Sequence, residues 1–194
     1  MYHLVTNKAE LIIPENKEMF LAKDEIAVSR TDIDGTILYY NSAFSKISGY
    51  KKNELLYTPH SILRHPDMPK AIFYVIWQTL LSGRSTHAII KNFTKDGNYY
   101  WLLVEFIVQK DNQNNIISFL ANGKQAPRHT IDIIEPMYKK LLKYERENGM
   151  ESSIIYLTSF LNSNNYATYN DYICKISKRK KYSFFANIKN LADL

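Results

Sequence analysis

The 194-residue chain predicts an α+β domain: an antiparallel sheet with a wall of short helices, followed by a helical extension. Three observations predict it. Short runs rich in Val, Ile, Tyr and Phe fall into two groups, two before residue 41 and three after residue 85. Asp34-Gly35 and Asp96-Gly97 stand between consecutive runs, where a tight hairpin takes such a pair. Between the groups, and again after residue 130, apolar residues recur at helical spacing.

The elements follow in order. Residues 1–24 mix apolar and charged positions around Pro14 and read as an N-terminal leader packed on the domain. Glu25 to Arg30 is a first strand, and Thr36 to Tyr40 returns antiparallel to it. Asn41 or Ser42 is placed to cap a helix that turns Ala43, Phe44 and Ile47 inward and stops at Gly49. Asn53 to Leu56 predicts another short helix. After Pro69, Phe73, Ile76, Trp77, Leu80 and Leu81 form one apolar helical stripe, ended by Ser82-Gly83. Thr86 to Phe93 and Asn98 to Gln109 are the next two strands. A polar turn over 111–115 leads into the last, Ile116 to Ala121. Beyond it, Ile131, Ile134, Met137, Tyr138 and Leu141 share a helical face, with Pro136 tolerated near the first turn. Ser152 to Leu161 and Tyr169 to Ile176 are further helices, and Phe184, Phe185 and Ile188 lie in a tail ending at Leu194.

Chemistry concentrates between the helices. Pro59-His60-Ser61-Ile62-Leu63-Arg64-His65-Pro66-Asp67-Met68-Pro69 packs three prolines around two histidines, an arginine and an aspartate. Proline fixes φ and restrains its neighbour, so the segment is a stiff loop. Such a loop can hold an anionic or planar ligand, or merely connect two helices.

The strings Thr31-Asp32-Ile33-Asp34-Gly35-Thr36-Ile37, Tyr40-Asn41-Ser42-Ala43-Phe44 and Ile47-Ser48-Gly49-Tyr50, with Glu54-Leu55, resemble the start of a PAS domain. Leu63 to Pro69 resembles the Aer-type aerotaxis and redox sensors in particular. The likeness continues through Lys91-Asn92, Lys95-Asp96-Gly97 and Tyr99-Tyr100-Trp101, and extends past the core to Glu135-Pro136-Met137-Tyr138-Lys139-Lys140-Leu141. Residues 25–143 are covered. The resemblance implies a PAS fold, with a five-stranded antiparallel sheet and a helical wall, over 25–124; the helical pattern after residue 130 makes 125–194 a helical C-terminal extension. It also implies bound FAD in a cytoplasmic sensor for energy taxis, which passes its signal to a membrane-bound, HAMP-containing chemoreceptor and can form a homodimer.

Residues matching Arg64, His65 and Asp67 belong to the flavin-binding region of that family, and Trp77 and Asn92 occupy corresponding positions. Arg64 would oppose the pyrophosphate. His65 would bond the cofactor or lock the loop, and Asp67 would bond a neighbour or cap the following helix. Asn92 would meet the flavin edge. Asn41 faces the cavity or caps a helix, and His60 completes the set or satisfies loop backbone. One position departs from the family. Where a tryptophan follows the helix-ending glycine in a Gly-x-x-Trp arrangement, this chain has Gly83-Arg84-Ser85-Thr86. Tyr39, Tyr40 or Phe73 are candidates to replace the lost ring surface.

Composition narrows the classes. A single cysteine, Cys174, excludes an intramolecular disulfide framework and fits a reducing compartment. The longest apolar stretch, Ala71 to Leu81, is too short to span a membrane. The N-terminus carries no secretory pattern. The net charge of +6 includes Lys175 and Lys178 to Lys181, a basic run without a groove-reading element, so nucleic acid is not an expected partner. His3, His87 and His129 show no metal-ligand spacing, and no nucleophile–base pair suggests an enzyme. The other readings are a cofactor-free interaction module and a haem sensor with His60 or His65 as axial ligand.

Overall fold

The computed structural model describes residues 16–51 and 53–178. His3, most of the leader, the basic residues 179–181 and the tail with Phe184, Phe185 and Ile188 lie outside the described residues. Strands β1 (Glu18–Met19), β2 (Ala27–Thr31), β3 (Ile37–Tyr40), β4 (Thr86–Phe93), β5 (Tyr99–Lys110) and β6 (Ile116–Gln125) form one sheet. Its five main strands run β4-β5-β6-β2-β3, each pair antiparallel. The two residues of β1 add in parallel to the start of β5, Glu18 opposite Tyr99. The helices are α1 (Ser42–Ser48), α2 (Lys70–Leu81), α3 (Arg128–Ser163) and α4 (Tyr169–Ile176), with a 3-10 helix at His60–Leu63.

Both Asp-Gly pairs lie in the turns the sequence predicts. Asp32 fastens the first by accepting the N–H groups of Asp34 and Thr36 at 3.0 and 2.8 Å. Gly35 has φ +89°, and an added Cβ would stand 3.0 Å from the Trp77 ring, so the turn needs glycine for conformation and for space. The expected helix over Asn53 to Leu56 is absent, and that segment is a set of turns. Asn53 and Tyr57 take φ of 80° and 63°, which no helix accommodates.

The sheet has two covered faces. Alternation along each strand sends Ile90, Asn92, Leu102, Val104, Phe119 and Ala121 to the face beneath α1, the loop and α2. Ile89, Trp101 and Leu103 go to the other face, under the C-terminal helices, and all are buried. There Trp101 stacks on Tyr138 at 6.4 Å.

The extension differs from expectation in two ways. α3 starts early enough that Pro136 sits in its interior rather than its first turn. It is also broken at Gly149, whose φ 81° and ψ 172° are not helical. Tyr144 and Tyr156 would stand about 18 Å apart along a straight helix. Their rings stack at 4.8 Å, so the chain folds back at Gly149. Ser152 secures the bend by donating to the Tyr144 and Gly149 carbonyls at 2.9 and 2.8 Å.

Candidate functional site: an apolar cavity between the sheet and the stiff loop

A cavity of about 300 Å³ lies between the inner sheet face, the proline-rich loop and α2. Phe44, Phe73, Trp77, Phe106 and Phe119 supply its aromatic wall. The Trp77 and Phe119 rings meet edge to face at 5.5 Å. Polar groups are few: Ser29, Thr31, Asp34, His60, Ser61, Arg64 and Asn92. An apolar slot with a small number of placed polar groups is what a flat organic ligand requires.

Four of the seven residues singled out from sequence line this cavity: His60, Arg64, Trp77 and Asn92. Asn92 is buried, and its register opposite Tyr100 puts both side chains on the inner face. Its amide nitrogen makes one long contact of 3.5 Å to the Tyr100 hydroxyl. Its amide oxygen accepts no hydrogen bond among the described residues. Arg64 is exposed at the rim, with its guanidinium 4.1 Å above the Phe73 ring. Burial lowers its pKa, and the nearby Glu145 carboxylate opposes that shift. His60 faces Ser29 across 3.1 Å, and its ring meets Phe44 edge on. Burial pushes His60 down to about 4, so the ring is neutral near pH 7.

The other three side chains point elsewhere. Asn41 is a structural cap: its oxygen accepts from Phe44 and Val28 N–H, each at 3.0 Å, and its nitrogen donates to the Ile26 carbonyl at 2.8 Å. His65 is buried against Phe93, ring centroids 4.2 Å apart, and its Nδ1 accepts the Asp67 N–H at 3.0 Å. Asp67 does not cap α2; it pairs with the Lys91 ammonium at 2.7 Å. Burial would raise the Asp67 carboxyl, but Lys91 outweighs it and holds it below the ordinary value. Burial pushes His65 down to about 4, with Lys91 adding to the effect and Asp67 opposing it.

His65 and Asp67 therefore lock the loop onto β4. Lys91 lies on the outer face, 4.4 Å above the Tyr99 ring. The Lys91 N–H points to the Met68 sulfur at 3.3 Å, and Arg64 bridges Asn92 through backbone. The loop thus delivers Arg64 to the cavity because its next residues grip the strand. That placement of His65 also takes it away from any haem in this cavity.

Thr86 is buried at the start of β4, opposite Phe106. Phe106, Phe44, Phe119 and Phe73 line the cavity, whereas Tyr39 and Tyr40 do not. Of the three candidates to replace the missing indole, only Phe73 is in place. Sequence reasoning missed Ser29, Lys91 and Glu145. Lys91 follows a general rule that a cation so nearly buried has a partner, while the contacts of Ser29 and Glu145 have no local signature. Among the described residues, no cluster of His, Cys, Asp and Glu could hold a metal ion. No described helix is long and apolar enough to cross a membrane.

Comparison with known proteins agrees with this geometry. A family model described as the PAS fold matches residues 37–122. The aerotaxis receptor of Escherichia coli (strain K12) is 37% identical over 121 residues, which are 62% of this chain and 24% of that protein. The nitrogen fixation regulatory protein of Klebsiella oxytoca is 29% identical over 96 residues, 50% of this chain and 19% of the regulator. The chain thus spans a quarter or less of the length of these curated relatives. A PAS domain structure from Colwellia psychrerythraea is 19% identical with a TM-score of 0.49, covering 52% of this chain and 86% of that one. The matched segment includes α1, the loop, α2, β4, β5 and most of β6 around the cavity; residues 37–122 of this chain have the PAS fold, and the chain is similar to the aerotaxis receptor.

Proposed function

We propose that this chain is a redox or oxygen sensor that holds FAD in the cavity and passes its signal to a separate membrane-bound, HAMP-containing chemoreceptor. The observation that carries the reading is Asn92, a buried amide in an apolar, aromatic-walled cavity whose oxygen has no partner among the described residues. An amide oxygen that no protein group engages and that lies on the cavity wall is free to accept a hydrogen bond from a ligand edge.

The residues present fit a flavin. At about 300 Å³ the cavity is at the lower end for small-molecule sites, so it holds a ring system while longer arms leave past the rim. At that rim Arg64, steadied on Phe73, is placed to bond phosphate oxygens. Bound FAD supplies a redox couple whose ring edge changes between accepting and donating a hydrogen bond. Asn92 offers both an acceptor and a donor, so turning its amide over answers either state. One bond of roughly 1 kcal/mol shifts a balanced equilibrium about fivefold. The likeness to an aerotaxis receptor supports energy taxis as the process and a chemoreceptor as the receiver.

The absorbance spectrum of freshly purified protein, with identification of any released cofactor, tests this. Released FAD supports the sensor. Protein that is colourless and takes up no added FAD makes a cofactor-free interaction module the better reading. In flavin-loaded protein, Asn92→Ala is expected to abolish redox-dependent binding of the partner; unchanged binding would defeat the role given to Asn92.

A further inference from the structure

The first turn of α2 has no cap of its own. Pro69 precedes it and offers no side-chain acceptor. The missing acceptor comes from 75 residues away. Glu145, in α3 just before the Gly149 bend, accepts the Lys70 N–H at 3.0 Å through one oxygen and the Ala71 N–H at 2.8 Å through the other. A carboxylate on the orphan donors of a helix N-terminus is favoured by hydrogen bonding and by the helix dipole together.

Both ends of this link lead somewhere. α2 carries Phe73, Ile76, Trp77 and Leu80 of the cavity wall. Past Gly149, the returning half of α3 buries Ser153, Leu157 and Leu161, and α4 then reaches β4, where Asn170 accepts the His87 N–H at 2.9 Å. The extension therefore grips both walls of the cavity, α2 through Glu145 and β4 through α4.

We propose that Glu145 is the positioning residue that couples α2, and with it the state of the cavity, to the folded-back half of α3. The inference rests on the reading of the cavity as the sensing site. A ligand that shifts Trp77 or Phe73 moves the first turn of α2. Glu145 follows its two N–H partners, and the bend secured by Ser152 turns that displacement into movement of residues 150–163.

Hydrogen exchange on the full chain tests the coupling, with two perturbations of the cavity: added FAD, and Trp77→Ala, which acts whether or not flavin binds. In the wild type, each is expected to change amide exchange over 150–163 by roughly fivefold, the scale of one helix cap. In a Glu145→Ala background, brought to the same FAD occupancy because Glu145 also acts on Arg64, the helices remain and the response over 150–163 disappears. Glu145→Gln, which keeps one acceptor, is expected to restore part of it. A response that persists in Glu145→Ala, or none in the wild type to either perturbation, would overturn the proposal. If FAD is not taken up, the flavin reading fails by itself, and the Trp77→Ala comparison still decides the role of Glu145.

Discussion

Asn41 separates a structural role from a cofactor role, and its removal has a calculable effect. The side chain makes three hydrogen bonds: it accepts from Val28 and Phe44 N–H and donates to the Ile26 carbonyl. The first and third hold β2 against the start of α1, and the second is the α1 cap. Asn41→Ala leaves two N–H groups and one carbonyl partly buried and unpaired. At about 1 kcal/mol for each bond, with the cap inside its usual range of about 0.5–2 kcal/mol, the loss is about 3 kcal/mol. For a chain of this size that lowers Tm by about 6–12 °C. Asn41→Asp keeps both acceptor bonds and loses only the donor, so it should cost about 1 kcal/mol. Calorimetry measures both variants. FAD titration at a temperature where the variants are fully folded should give affinities within about threefold of wild type, because Asn41 does not line the cavity and the groups it bonds are backbone. An Asn41→Ala protein that keeps its Tm, an Asn41→Asp protein as damaged as the alanine variant, or a tenfold affinity loss in folded protein would refute the reasoning.

Two further perturbations probe the packing around the site. Tyr138 donates to the Ile89 carbonyl at 2.7 Å and shares a 2.6 Å contact with the Tyr169 hydroxyl, so Tyr138→Phe should cost about 2–3 kcal/mol in a urea titration; a loss under about 1 kcal/mol would show that the pair does not hold the extension. His60 and His65 are held at about 4, below the ordinary value of 6.5. Between these values the unfolded chain binds more protons than the folded one, so their contribution is complete above pH 6.5 and is lost as pH falls towards 4. Urea midpoints should fall from pH 7 to pH 5, and His60→Gln should flatten that slope; equal midpoints at the two pH values would refute the assignment.

Most of the fold was legible because its signals are local. Asp34-Gly35 and Asp96-Gly97 announce hairpins, Asn41 and Gly49 bound α1, and the stripe from Phe73 to Leu81 marks α2. The failures are also local in origin. Asn53 to Leu56 has helical composition, yet a positive φ at Asn53 breaks it. The candidate site was legible as a stiff loop carrying charge, but not as to which side chains enter the cavity. Arg64 and His65 are neighbours and diverge, one to the rim and one to Phe93 at the end of β4, because the loop crosses the edge of β4. Partners 31 and 75 residues apart, Ser29 with His60 and Lys70 with Glu145, leave no periodicity to read.

β4 is where the cavity and the C-terminal extension meet, and its sequence conceals this. Thr86 to Asn92 is buried at every position, so the strand shows no polar–apolar alternation, as expected when both faces are covered. The alternation is one of destination. Ile90 and Asn92 line the cavity. His87, Ile89 and Lys91 turn outward, and their backbone groups, which an edge strand leaves open, are taken by Asn170, Tyr138 and Met68. An uncovered edge invites pairing with another chain; here the extension and the loop occupy it. Asn92 is adjacent to Lys91, so a change in the amide facing the cavity acts one residue from the bonds that hold the loop. The same strand reaches the helices at Ile89 and His87 within five residues of Asn92. A shift in β4 therefore disturbs α3 through Tyr138 and α4 through Asn170 without crossing the sheet, and it converges on the element that Glu145 ties to α2.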